Sequence, residues 1–232
     1  MSQAKERPIL FSGPMVRAIL EGRKTVTRRP VKDGQIPRLD YPDSPEPWAA
    51  VGQHHPRYGF VVQGKTEDEC AAKLGELGAC PFGEPGDRLW VRETWFCDHY
   101  EVMRGPYLKP DDLDVVQARD DGTLVYAADG LEPYEADQPT WKPSIHMPRW
   151  ASRILLEITA VRVERLQDIT LEQAIAEGVD ADMCRQYLET SPSRFECKAA
   201  AIHGFAGLWQ STGGNWDANP WVWVVEFKRI ES

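Results

Sequence analysis

The run RILLEITAVRVERL at 153–166 constrains the chain most. Isoleucine, valine and threonine lose side-chain freedom in a helix and pack well on a pleated surface, so a long strand is predicted here. The next stretch, ITLEQAIAEGV, holds Thr170 and Gln173 in the spacing of a capping box and Gly178 as a stop, which predicts a short helix. Glu177 is then the last residue before that glycine. Its charge faces the negative end of the helix, an unfavourable placement by about 0.3–1 kcal/mol that marks it as a functional candidate.

A second long strand is read in WVWVVEFKRI at 221–230, with Trp221, Trp223, Val225 and Phe227 alternating against their neighbours. Ahead of it, Ser193 and Glu196 give another capping box. It opens a helix with Phe195, Ala199, Ile202, Phe205 and Trp209 on one side, a helix that Gly204 and Gly207 weaken. At the other end of the chain a short strand at 7–11 leads to Ser12, read as the cap of a helix carrying Met15, Val16, Ile19 and Leu20 at helical spacing. Gly22 ends that helix, and Thr25, Val26 and Thr27 favour extended backbone.

GDRLWVRETWF at 86–96 is read as one strand, with Leu89, Val91, Glu93 and Trp95 on a shared face. Glu93 thus sits between apolar neighbours, where a carboxylate needs a partner. An arginine ion pair and a direct substrate contact are the two readings. Residues 124–128 suggest a further strand. The proline- and glycine-rich region at about 33–80 is read mostly as loops, with a short strand near 57–62. Several non-adjacent strands separated by short helices predict an α+β fold, a small β-barrel with flanking short helices, built as one domain over 1–232 with insertions at about 33–80 and 110–138.

Composition narrows the function classes. With 232 residues and 42% hydrophobic content the chain can bury a substantial core. No apolar run approaches the roughly 20 residues of a membrane span, and the short apolar stretch near the start lacks the h-region of a secretory signal, so no membrane partner and a cytoplasmic location are expected. Five cysteines without a CxxC pair argue against a disulfide framework and a zinc ribbon. Cys97, Asp98 and His99, with Cys80, His54 and His55 upstream, match no ligand spacing, so neither a metal nor another cofactor is expected. A net charge of −9 disfavours non-specific binding to long nucleic acid. Yet LEGRKTVTRRP concentrates cations, and Arg17, Arg23, Lys24, Arg28, Arg29 and Lys32 form a local cluster. That cluster suits either a solvated face with helix-end cations or a pocket for an anion or polar nucleotide.

The order of these segments resembles the ASCH domain family, a branch of the PUA-like β-barrels associated with RNA and modified nucleosides. The family signature G-x-K-x-x-(E or T)-x-R is met by Gly22-Arg23-Lys24-Thr25-Val26-Thr27-Arg28-Arg29. The 86–96 strand, the 153–166 strand with its capped helix, and the closing NPWVWVVEF extend the likeness over most of the chain outside about 31–80. Long members with HMPRWASRI and NPWVWVVEF are similar to proteins of phages and prophages. Smaller members include bacterial N4-acetylcytidine amidohydrolases, and their lysine, threonine and glutamate carry over as Lys24, Thr27 and Glu177.

The resemblance implies a protein that binds a modified nucleoside or RNA element, with deacylation of an N-acyl cytidine as its chemistry. In that chemistry Thr27 attacks, Lys24 moves its proton or stabilises the oxyanion, and Glu177 orients the lysine or a water. Arg23, Arg29, Glu93, Trp95, Lys142 and His146 are the candidate binding groups, with Trp95 stacking a base and Lys142, His146 and Arg149 reaching ribose or phosphate. Non-catalytic RNA binding and ribonuclease activity are the alternatives, and no protein partner is implied. One obstacle is geometric. On an ideal strand residues 24 and 27 point to opposite faces, so the trio requires a bend between them.

Overall fold

The computed structural model describes residues 4–55, 58–77, 80–130, 141–179 and 197–231. In chain order the elements are β1 (Glu6–Leu10), α1 (Gly13–Leu20), β2 (Val26–Pro30), β3 (Arg38–Leu39), β4 (Trp48–His55), β5 (Tyr58–Gly64), α2 (Glu67–Glu76), β6 (Arg88–Arg92) and β7 (Trp95–Cys97). They continue with α3 (Tyr100–Arg104), α4 (Val115–Asp120), β8 (Leu124–Tyr126), β9 (Leu155–Arg165), α5 (Leu171–Ala176), α6 (Cys197–Ser211) and β10 (Trp221–Ile230). The fold is α+β, and the strands fall into several sheets that form no closed barrel among the described residues. Among those residues no helix is long and apolar enough to cross a membrane.

Two units divide the chain: Met1–Gly22, Arg88–Glu157 and Arg229–Ser232 make the first, and Arg23–Asp87 and Ile158–Lys228 the second. In the first unit β1 runs parallel to β6, and β6 pairs antiparallel with the start of β9, setting Leu89 opposite Leu156. The strand expected over 86–96 stops at Arg92 and resumes as β7, which pairs with β8. The chain leaves the sheet at Glu93 and Thr94, so the face shared by Leu89 and Val91 does not continue to Trp95. A separate cluster of Trp95, Cys97, Val102, Leu124, Tyr126 and Met147 forms around β7 and β8. Ser12 stands at the N-cap of α1 but makes no side-chain cap bond, and a proline in the first turn sets the backbone instead.

In the second unit the latter part of β9 lies beside β10, and β10 pairs antiparallel with β2, with Val224 opposite Arg28 and Val225 opposite Thr27. Trp221 through Val225 are all buried. An interior strand is covered on both faces, so the expected alternation carries no exposed side here. Val26, Val222 and Val224 pack on one face against Ala174 of α5 and Ala201, Phe205 and Trp209 of α6. Helix α6 runs unbroken through Gly204 and Gly207, because that packing outweighs a glycine cost of about 1 kcal/mol each. The Ser193–Glu196 capping box lies outside the described residues, as do 131–138 of the acidic segment.

The stretch at 33–80 departs most from its reading as loops. Strands β3, β4 and β5 form an antiparallel sheet, and α2 packs against it, with Gly64 so close that a Cβ there would stand 2.5 Å from the Cys70 nitrogen. Thr66 caps α2 by accepting a hydrogen bond from the Glu69 N–H, a T-x-x-E signal present in the sequence.

Candidate functional site

Gly22 adopts a left-handed φ of 73°, which lets the chain turn out of α1 and set Lys24 beside the end of α5. There Lys24 and Glu177 form an antiparallel bridge, and the Thr25 N–H donates to the Ala176 carbonyl at 2.9 Å. Lys24 Nζ donates to Glu177 Oε2 at 2.6 Å, to the Glu177 carbonyl at 2.8 Å and to the Val26 carbonyl at 2.8 Å. Three acceptors match the three hydrogens of an ammonium. Both side chains are buried. Burial lowers the Lys24 pKa below the ordinary lysine value; Glu177 opposes this, and Arg29 and Arg28 add to it.

Arg28 extends the cluster. Its Nη1 donates to Glu177 Oε1 at 3.3 Å, and its Nη2 to Glu164 Oε1 at 2.5 Å and Gln173 Oε1 at 2.8 Å. Glu164 also accepts from Arg162 Nε at 2.8 Å, and Arg162 pairs in turn with Glu226. Lys24, Glu177, Arg28, Glu164, Arg162 and Glu226 thus alternate in sign across β2, β9, β10 and the end of α5. The carboxylate that faced an unfavourable helix end is met there by two cations, which offsets the dipole penalty.

Thr27 is buried, and the bonds that join Lys24, Arg28 and Glu177 do not include it. Alternation along β2 turns it to the face opposite Arg28. The structure therefore brings Lys24 and Glu177 together, while Thr27 is buried next to Arg28 in the chain and takes no part in these bonds. Arg23 Nη1 donates to the Gly178 carbonyl at 3.3 Å. Arg29 is half-buried, and burial lowers its pKa while Glu177 opposes.

Beside this cluster, within the second unit, lies a cavity of about 280 Å³ lined by Thr25, Val26, Thr159, Gln173, Glu226 and Phe227, with Glu172 and Ala176 completing it. None of Lys24, Thr27 and Glu177 lines it; Thr25 does. Thr25, Gln173, Glu226 and the Arg28–Glu164 link were not singled out from sequence. The available signals were the capping role of Gln173 and the charged residues Arg28 and Glu164 within otherwise β-branched strands.

The remaining candidates belong to the first unit. Glu93, 1% exposed, is held by Arg153 through Nε–Oε1 at 2.9 Å and Nη2–Oε2 at 3.0 Å, so the arginine pairing is the one present. Arg153 also grips Asp129 at 2.7 Å. Burial pushes the Glu93 carboxyl up, against the hydrogen bond from Arg153. Trp95 is fully buried, edge-on to Tyr107 and Trp150, so neither face is open to a base. Its backbone bridges Lys142, whose Nζ donates to the Met103 carbonyl at 3.3 Å and sits 4.7 Å over the Tyr107 ring. His146 is exposed in a 3₁₀ turn, and Arg149 pairs with Glu6 at 2.8 Å. Among the described residues no group of three or more His, Cys, Asp or Glu is placed to hold a metal ion. Comparison with known protein families, with curated proteins and with solved structures finds no match to the chain.

Proposed function

We propose that the chain is an ASCH-type, PUA-like protein that binds a modified nucleoside in the cavity beside Thr25 and Gln173. The observation that carries this reading is that one wall of the cavity is the signature segment itself: Thr25 and Val26, from the middle of the motif, face Gln173 and Ala176 of α5. A volume of about 280 Å³ lies at the small end of ligand sites, typically about 300–1,000 Å³, and suits one nucleoside better than an oligonucleotide. Val26 and Phe227 supply apolar wall, and hydroxyl, amide and carboxylate groups supply polarity. Calorimetric titration with cytidine, N4-acetylcytidine and uridine tests it. Saturable binding of at least one is expected, and binding of none overturns the reading.

A second reading, deacylation, is favoured by the 2.6 Å contact of Lys24 with Glu177. In it a water oxygen bonds to the acyl carbon, the bond to the exocyclic nitrogen breaks, and that nitrogen takes a proton as the carboxylic acid departs. Thr25, on the cavity, is better placed than Thr27 to hold the acyl group. Acetate release from N4-acetylcytidine that is lost in a folded Lys24→Met/Glu177→Leu variant supports this chemistry; no release from the wild type rejects it and leaves the binding reading intact.

A further inference from the structure

Gln173 is held in one orientation by groups that have nothing to do with a ligand. Its Oε1 accepts from the Thr170 N–H at 2.9 Å, closing the capping box of α5, and from Arg28 Nη2 at 2.8 Å. Both partners can only donate, so the atom they meet is the oxygen and the amide cannot be flipped. The Nε2 group is left with two hydrogens, and among the described residues neither has an acceptor. Gln173 lines the cavity, where the carboxylates of Glu172 and Glu226 can only accept and the hydroxyls of Thr25 and Thr159 can do either. The cavity therefore combines one fixed amide donor with several acceptors.

We infer that Gln173 is the specificity-determining residue of this cavity, its Nε2 donating to a carbonyl oxygen or ring nitrogen of a planar heterocycle whose adjacent N–H group is taken by the acceptors opposite. The ligand class is a pyrimidine-like ring with an acceptor beside a donor. This assignment rests on the nucleoside-binding reading above and adds to it the atom that reads the ring.

The discriminating variant is Gln173→Glu. A capping box accepts glutamate as readily as glutamine, and a carboxylate still receives Arg28, so the scaffold bonds survive while the donor becomes an acceptor. Wild type and Q173E are titrated with cytidine and N4-acetylcytidine, and thermal melting of both is recorded. The expected result is a melting temperature no lower than that of the wild type and affinity weaker by roughly tenfold or more. If the wild type binds no nucleoside, the functional reading fails and this assignment with it. If the wild type binds and Q173E binds equally well, Gln173 is only a cap and the assignment alone is overturned. Should Q173E melt lower, the wild type is titrated with two cytidine analogues, one with the ring carbonyl replaced by hydrogen and one with the acceptor ring nitrogen replaced by C–H. Loss of affinity for either supports the assignment, and undiminished affinity for both overturns it.

Discussion

Lys24 grips Glu177 twice, at the carboxylate and at the main-chain carbonyl, so one ammonium closes both the side-chain pair and the backbone at the end of α5. Removing the lysine leaves a buried carboxylate without its 2.6 Å partner, with Arg28 at 3.3 Å. Lys24→Met is expected to destabilise the protein by about 3–5 kcal/mol, read by chemical denaturation. The double variant Lys24→Met/Glu177→Leu is expected to recover much of that loss, since replacing a buried pair by apolar groups costs far less than breaking it. A double variant no more stable than the single one would show that the pair itself, and not the orphaned charge, holds this corner.

The same logic applies to Arg153, which offers a planar fork to two carboxylates at once. Arg153→Ala strands Glu93, buried to 1% exposure, and is expected to cost about 3–5 kcal/mol. Arg153→Lys rescues little, because a point ammonium cannot make the bidentate contact. Equal stability of Arg153→Lys and wild type in denaturant titration would contradict this.

Which parts of this architecture can be read in the sequence depends on whether the signal is local. Strands β9 and β10 announce themselves through branched and aromatic residues, and α5 through Thr170, Gln173 and Gly178, because propensity and capping act within a few residues. The break after Arg92 is not local. Glu93 leaves the strand where it meets Arg153, a residue far along the chain, and no alternation pattern encodes that meeting. Strand β5 is caught as the short strand near 57–62, but β4 escapes notice because this sheet is built from alanine and glycine as much as from valine, with prolines on its approach. The meeting of Lys24 with Glu177 is legible only through the family resemblance. The cavity is not legible at all, since Thr25, Thr159, Gln173 and Glu226 come from four separate segments.

Tyr126 gives a pH-dependent expectation. Its hydroxyl donates to the Ala151 carbonyl at 2.7 Å and accepts from Arg119 Nε at 3.0 Å, and burial pushes its pKa up from 10.0 to about 12 despite Arg119. A folded value above the unfolded one means that this contribution is whole below pH 10.0 and is lost as pH rises towards about 12. Tyrosinate absorbance should therefore show a late-titrating tyrosine that is missing in Tyr126→Phe. That variant should also lose about 1–2 kcal/mol at neutral pH. A wild-type titration complete near the ordinary tyrosine value would reject the assignment.

Thr25 and Thr27 separate the cavity from the expected catalytic trio. They lie two apart on the same stretch, yet Thr25 is exposed and lines the cavity, whereas Thr27 is 4% exposed opposite Val225. Valine keeps the shape and removes only the hydroxyl. If ligand enters the cavity, Thr25→Val weakens nucleoside affinity by about two- to tenfold, the value of one hydrogen bond, and leaves the melting temperature unchanged. Thr27→Val is expected to leave affinity as it was, because Thr27 does not line the cavity. The reverse result in the same titrations, a silent Thr25→Val and a damaging Thr27→Val, would move the ligand out of this cavity and restore Thr27 to the role that the resemblance gives it.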